Sequence, residues 1–192
     1  ECKETFRRYM RQQAQFAGLQ ILTYCLMSNH IHILLRVPAP AEISDAELID
    51  RVQALYGPEA PETLRLKEDL ERAGRIPKKI RERLLKRMGD VSAFMKELKQ
   101  RFSRSYNQTH QRFGTLWAER FKSVLVEDNS EAVRTVAAYI DLNPMRGSLA
   151  GDPKDYPFCG YAEALSGDAR ARAGLLSVMG TDDWATGSAE YR

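Results

Sequence analysis

The chain has 192 residues, of which 43% are hydrophobic and 29% charged, and its formal net charge is +3. This length is sufficient to bury the core of one domain. The longest apolar runs are as short as strands and fall below the roughly 20 residues of a membrane helix, which argues against a membrane protein. The cysteines Cys2, Cys25 and Cys159 form no C-x-x-C pair, so we expect reduced thiols in a cytoplasmic protein.

The first predicted elements are a helix and a β-hairpin. Periodicity predicts the helix over residues 3–17, and the two runs after it are rich in β-branched and large apolar residues. Such runs are typical of strands, which predicts strands at 19–27 and 30–37, with Ser28-Asn29 near the bend.

The second predicted strand carries two histidines one residue apart. Because side chains alternate along a strand, His30 and His32 are predicted to point the same way. Two neutral imidazoles side by side can hold one divalent ion. Histidines in sheets are also commonly no more than hydrogen-bonded, and the pair alone leaves both interpretations open.

The middle of the chain is predicted to be helical and is strongly basic in part. A helix is predicted at about 44–56 and a charged helical insertion at about 62–88, of which residues 72–87 contain eight basic residues against one acidic residue. The next helix, at 91–108, has an apolar stripe, and its basic residues lie mainly off that stripe: Lys96, Lys99, Arg101 and Arg104. This arrangement favours either a nucleic-acid-binding surface or a solvated face.

A further strand is predicted at 115–126. Trp117 and Phe121 alternate there with Arg120 and Lys122, which supplies stacking surfaces beside cations, as in proteins that bind single-stranded nucleic acids. Such aromatics are also often core residues. Arg120 and Lys122 can contact a DNA backbone.

The last predicted helix displays a tyrosine and an amide together. Asp128, Asn129 or Ser130 can cap it, and Pro144 stops it. Tyr139 and Asn143 lie four residues apart, on the same side of its last turn. Together, these elements predict an α+β domain in which helices cover an antiparallel sheet mainly on one face.

Four blocks, in order, resemble a known family: "YCLMSNHIHILLRVP", "GTLWAERFKSVLVE", "AAYIDLNPMRG" and "DPKDYPFCGY". They are similar to the HUH (His, hydrophobic, His) single-tyrosine transposases, in particular the REP-associated tyrosine transposase branch. The resemblance implies a ferredoxin-like HUH palm over residues 1–164, with a helical insertion at about 41–89. It places the family's first strand upstream of Glu1, and it leaves a tail at 165–192 of unknown role.

The resemblance also implies the chemistry. Tyr139 matches the nucleophile, and His30, His32 and Asn143 match the ligands of Mg²⁺ or Mn²⁺. The implied activity is cleavage and rejoining of hairpin-containing single-stranded DNA through a 5′-phosphotyrosine intermediate. The enzyme would be a monomer or homodimer of the cytoplasm, associated with the nucleoid when it acts.

Two other function classes remain open. A domesticated relative would bind hairpin DNA as a repressor or host factor without transposition. A zinc hydrolase would need further ligands, and His110 is the one spare histidine. Tyr106 is a rival nucleophile, but it lies on the apolar stripe of its helix.

Overall fold

A computed structural model describes residues 1–191 and divides the chain into two compact units. Unit 1 comprises residues 1–20 and 37–121, and unit 2 comprises residues 21–36 and the chain from Lys122 onward. The strands are β1 (Gln20–Leu26) and β2 (Ile31–Arg36). The helices are α1 (Cys2–Ala17), α2 (Asp45–Tyr56), α3 (Pro61–Ala73), α4 (Lys78–Leu85), α5 (Val91–Thr109), α6 (Ser130–Asp141), α7 (Asn143–Arg146), α8 (Gly160–Leu165), α9 (Ala169–Met179) and α10 (Trp184–Glu190), with a 3-10 turn at Pro153–Asp155.

Unit 1 is helical, and its core forms where α1 to α4 meet. Phe16 of α1 is buried in a cluster with Leu48, Leu66 and Leu84. The segment predicted to be helical at about 62–88 contains two helices, α3 and α4, while its description as an insertion stays a prediction. The break between them follows from Gly74, which takes a left-handed conformation (φ 66°) that ends α3.

Unit 2 contains the predicted hairpin, which is confirmed. β1 and β2 form a two-stranded antiparallel sheet. The turn is closed by the amide of Met27, which donates to the carbonyl of His30 at 3.0 Å. On its other side β1 forms an isolated antiparallel bridge between Cys25 and Cys159. The mixed α+β class is therefore confirmed.

The C-terminal segment contributes to the core of unit 2. Leu175 and Val178 of α9 are buried in one cluster with Leu22 of β1 and Ile140 of α6. Gly174 brings α9 close to β1, because a Cβ at this position would meet the carbonyl oxygens of residues 21 and 22. The segment predicted as a tail thus supports the sheet, while the prediction of one domain over 1–164 stays a prediction.

The strand predicted at 115–126 is wrong. These residues form neither helix nor strand. A strand depends on hydrogen bonds to a neighbouring strand, and within residues 1–191 the sheet consists of β1 and β2. Val124 and Leu125 are 88% and 98% exposed, so the alternation in sequence corresponds to no buried face.

No helix within residues 1–191 is both long enough and apolar enough to cross a membrane.

Candidate functional site

The end of the hairpin holds the two histidines next to each other. His30 lies immediately before β2 and His32 within it, and their ring centroids are 5.0 Å apart. The Nδ1 of His30 hydrogen-bonds to the side-chain oxygen of Asn29 at 2.8 Å, which in the neutral ring puts the proton on Nδ1 and the lone pair on Nε2. Burial, together with the neighbouring His30, lowers the pKa of His32. Both effects favour the neutral imidazole, which is the form that binds metals.

Helix α6 places Tyr139 beside this pair. The side chain of Asn129 caps α6 by accepting from the amide of Ala132 at 2.8 Å. The stripe that includes Ala137 and Ile140 is buried, whereas Tyr139 points away from it and is 49% exposed. The ring centroid of Tyr139 lies 6.2 Å from that of His32. The fold therefore brings Tyr139 next to two histidines that lie more than 100 positions earlier in the chain.

Asn143 lies one helix later than the sequence predicts. Helix α6 ends at Asp141, and Asn143 begins the short helix α7, because Pro144 is well suited to a first helical turn. The Asn143 amide nitrogen donates to the carbonyls of Tyr139 at 2.9 Å and Ile140 at 3.1 Å. The nitrogen is thereby directed at the end of α6, and the amide oxygen remains as an acceptor.

Arg146 belongs to this group, although sequence reasoning did not identify it. Its guanidinium carbon lies 4.7 Å from the centroid of the Tyr139 ring, and its side chain is exposed. Arg146 follows Tyr139 by seven residues, and residues i and i+7 share a face of a continuous helix. This spacing could have indicated that the two side chains lie close together. The break between α6 and α7 made that spacing unreliable.

A buried carboxylate anchors the end of α6. Asp141 accepts hydrogen bonds from the hydroxyls of Thr23 at 2.8 Å and Tyr191 at 2.7 Å, and from the amide of Tyr161 at 3.2 Å. Burial raises the pKa of Asp141 to about 6, and the three hydrogen bonds oppose that rise. Asp141 thus fastens the helix that carries Tyr139 to β1 and to the end of α10.

The residues predicted to bind DNA differ in their accessibility. Lys96, Arg104 and Arg120 of unit 1 and Lys122 of unit 2 are exposed. Arg101 is partly buried against Tyr9. Four of these five cations are therefore accessible to a ligand, and the prediction that they bind DNA stays a prediction.

Trp117 and Lys99 are engaged within unit 1. The Trp117 indole N–H donates to the carbonyl of Lys99 at 3.2 Å and to the hydroxyl of Ser103 at 2.8 Å. The Lys99 ammonium lies 5.1 Å from the indole centroid and donates to the carbonyl of Glu119 at 2.7 Å. The indole is thus held against α5, and a more exposed aromatic residue is Phe113, at 97%. The exposure of Phe113 could have been suspected from the sequence, because this residue lies between Arg112 and Gly114.

Within residues 1–191, no group of three or more His, Cys, Asp or Glu side chains is arranged to hold a metal ion. The zinc-hydrolase hypothesis requires such a group and gains no support. The predicted site of two imidazoles and one amide contains only two side chains of these types. It therefore stays a prediction.

The start of the chain is similar to a known protein family. Residues 1–55 match the family model described as "Transposase IS200 like". The matched segment contains α1, the hairpin and both histidines but not Tyr139, and it supports a transposase function. No curated protein and no solved structure matches the chain.

Proposed function

We propose that this protein is a metal-dependent HUH tyrosine transposase of the REP-associated branch, which cleaves and rejoins hairpin-containing single-stranded DNA. The observation that carries the proposal is the position of the Tyr139 ring beside the His30–His32 pair. The match of residues 1–55 to IS200-like transposases supports the same function. In this proposal the hairpin is part of a ferredoxin-like HUH palm.

The proposed reaction has Tyr139 as its nucleophile. The phenolic oxygen forms a bond to phosphorus, and the bond between phosphorus and the 3′ oxygen breaks. The phenolic proton is lost and the released 3′ oxygen gains one, so the products are a 5′-phosphotyrosine and a free 3′-hydroxyl. Rejoining reverses these steps, and because one phosphodiester replaces another, no nucleotide cofactor is needed.

His30, His32 and Asn143 would hold a Mg²⁺ or Mn²⁺ ion. The donor set fits such an ion, since the neutral ring of His30 offers Nε2, the lowered pKa of His32 favours its neutral form, and Asn143 retains its amide oxygen. When bound, the ion supplies Lewis-acid polarisation of the scissile phosphate. Imidazole ligands suit Mn²⁺ better than Mg²⁺.

Besides the proposed metal ion, the site contains a positively charged side chain, that of Arg146. Its guanidinium lies against the ring of Tyr139 and can donate hydrogen bonds to non-bridging phosphate oxygens. In the proposed reaction it holds the scissile phosphate near the phenolic oxygen.

The test of the proposal is the covalent intermediate. A 3′-labelled single-stranded hairpin substrate incubated with the protein and Mn²⁺ should leave the labelled fragment attached in a denaturation-resistant band. Tyr139→Phe removes only the phenolic oxygen, so the band should disappear while DNA binding survives. The matched control is Tyr106→Phe, in which a tyrosine packed between Phe102 and His110 loses the same oxygen and the band should remain.

Two results would reject the assignment. A band that persists in Tyr139→Phe and vanishes in Tyr106→Phe would make Tyr106 the nucleophile. Hairpin binding without a band for any substrate would favour the repressor or host-factor alternative.

The metal site has a separate test. Free Mn²⁺ measured by electron paramagnetic resonance should fall when wild-type protein is added, and the fall should be much smaller for His30→Ala and His32→Ala. Tyr139→Phe should bind Mn²⁺ like the wild type, because the phenol is not among the proposed ligands. Equal binding by all four proteins would remove the histidines from the metal site.

A further inference from the structure

A second group of chemically active side chains lies in unit 1, where α1 packs against α5. Two guanidinium groups surround Tyr9 of α1: the carbon of Arg101 lies 4.3 Å from the ring centroid, and that of Arg8 lies 5.3 Å from it. Ser105, one turn after Arg101 on α5, hydrogen-bonds to the Tyr9 hydroxyl. None of these residues belongs to the Tyr139 site.

The two arginines of this group have no acidic partner within residues 1–191. The Nη1 atom of Arg101 is buried there without a hydrogen-bond partner. Other arginines of unit 1 are paired: Arg7 with Glu4 at 2.6 Å and Arg87 with Glu97 at 2.8 Å. A partly buried, unpaired cation is costly, so the group lacks an anion.

The local electrostatics agree with this geometry. Burial is the largest influence on Arg101 and lowers its pKa, and the nearby charge of Arg8 lowers it further. The hydrogen bond from Ser105 is the largest influence on Tyr9 and lowers its pKa, and both arginines act in the same direction. Tyr9 and Tyr56 oppose the lowering of the Arg101 pKa, and an anion at this position would further favour the charged form of Arg101 and offset the repulsion from Arg8.

We propose that Arg8, Tyr9, Arg101 and Ser105 bind a phosphate group of the nucleic-acid backbone. Two guanidinium forks and the Tyr9 hydroxyl, which accepts from Ser105, supply donors for a tetrahedral oxyanion, and the group contains no carboxylate to repel it. The identification of that phosphate as part of DNA rests on the proposed function, whereas binding of the anion does not.

The charge of unit 1 favours this ligand. Its residues include 21 Lys and Arg against 15 Asp and Glu, a net charge of +6, whereas unit 2 has 8 against 11, a net charge of −3, and the two sum to the +3 of the chain. The predicted catalytic tyrosine thus belongs to the acidic unit. The net charge therefore favours further phosphate contacts in unit 1, in addition to the scissile phosphate that Arg146 is proposed to hold in unit 2.

The test is the salt dependence of binding to an unstructured oligothymidylate, measured with EDTA present so that no metal-dependent cleavage intervenes. The logarithm of the affinity falls linearly with the logarithm of the salt concentration, and each phosphate contact contributes about 0.7 to the slope for single strands. Arg101→Gln should therefore reduce the slope by about 0.7. Arg170→Gln is the charge-matched control, an exposed arginine on α9, and should leave the slope unchanged.

Further variants separate the site from a general loss of charge or of folding. Arg101→Lys keeps the charge but loses the fork, so its affinity should fall while the slope changes little. Circular dichroism and thermal unfolding must show that each variant is folded, and Arg8→Gln, at an exposed position, provides the same slope measurement if Arg101→Gln is not. An unchanged slope in a folded Arg101→Gln or Arg8→Gln protein would overturn the proposal.

Two more outcomes distinguish a DNA phosphate from free phosphate, and the phosphate site from the transposase function. Inorganic phosphate that binds the wild-type protein but not Arg101→Gln, together with an unchanged slope for the oligonucleotide, would show a site for free phosphate and reject the backbone assignment. A reduced slope in Arg101→Gln without a covalent band for any hairpin would support the phosphate site while the transposase proposal fails.

Discussion

The thiol of Cys159 shows how burial can dominate the chemistry of a residue. Its sulfur caps α8 by accepting from the amide of Ala162 at 3.4 Å, and it donates to the carbonyl of Pro153 at 3.3 Å. A helix N-terminus usually favours the thiolate, yet burial raises the pKa of Cys159 to about 12. Cys2, by contrast, is only partly buried, and its sulfur lies 3.4 Å from Nε2 of His110.

We therefore expect N-ethylmaleimide at pH 8 to modify Cys2 first and to leave Cys159 intact in the folded protein. Because the pKa of Cys159 is raised, its thiolate fraction stays small until the pH approaches 12. Peptide mass spectrometry before and after unfolding measures the order of modification. Rapid modification of Cys159 in the native protein would contradict the buried position of this thiol.

The proposed role of Arg146 gives a second prediction at this scale. Arg146→Gln should slow formation of the covalent band by roughly tenfold or more, since charged donors to a reacting phosphate typically contribute at least that much. Arg146→Lys should recover part of the rate, because it restores the charge without the fork. Single-turnover kinetics with the hairpin substrate measure both, and an unchanged rate in Arg146→Gln would remove Arg146 from the site.

At the scale of elements, α9 depends on a glycine to reach the sheet. The position of Gly174 against the carbonyls of residues 21 and 22 leaves no space for a methyl group. The contact includes backbone atoms, which cannot move aside like the end of a flexible side chain. Helix α9 in turn buries Leu175 and Val178 in the core of unit 2.

Gly174→Ala should consequently destabilise the protein by about 2 kcal/mol or more, despite the higher helix propensity of alanine. Gly151→Ala is the matched control, since a Cβ there meets no atom within 4 Å and the change should stay within about 0.5 kcal/mol. Chemical denaturation measures both free energies of unfolding. Equal stability of the two variants would show that α9 does not pack on β1 at Gly174.

The cap of α6 gives a smaller effect. Asn129→Ala removes the side chain that accepts from the amide of Ala132 and should cost about 1 kcal/mol. Asn129→Asp should retain most of the stability, because aspartate is an equally good cap. Thermal unfolding distinguishes the two, and a loss in both would assign another role to this amide.

At the scale of the whole molecule, charge is distributed unequally between the two units, at +6 and −3. A net charge of +3 for the chain conceals this asymmetry. Counterion release on contact with phosphates drives nucleic-acid binding. Binding of an unstructured strand should therefore involve the cations of unit 1 more than those of unit 2.

Lysine acetylation in the presence of oligothymidylate tests this expectation. Lys79 and Lys96 of unit 1 are exposed and should be protected, whereas Lys154 of unit 2, which pairs with Asp152 at 2.9 Å, should react as in the free protein. Mass spectrometry measures the modified fraction at each position. Equal protection of Lys154 would show that charge distribution does not direct binding.

Local sequence patterns were sufficient to predict the hairpin and the helical regions up to α6, because caps, glycines and side-chain periodicity act within a few residues, but they did not predict α7 to α10. Alternation predicted the proximity of His30 and His32, which the structure confirms. The same reasoning failed at 115–126, since a strand also needs a partner that no local pattern specifies. It could not identify the position of Arg146 against Tyr139 or the unpaired arginines around Tyr9. Such contacts join residues distant in sequence or separated by a helix break, and only the packing of helices and strands in three dimensions determines which of them meet.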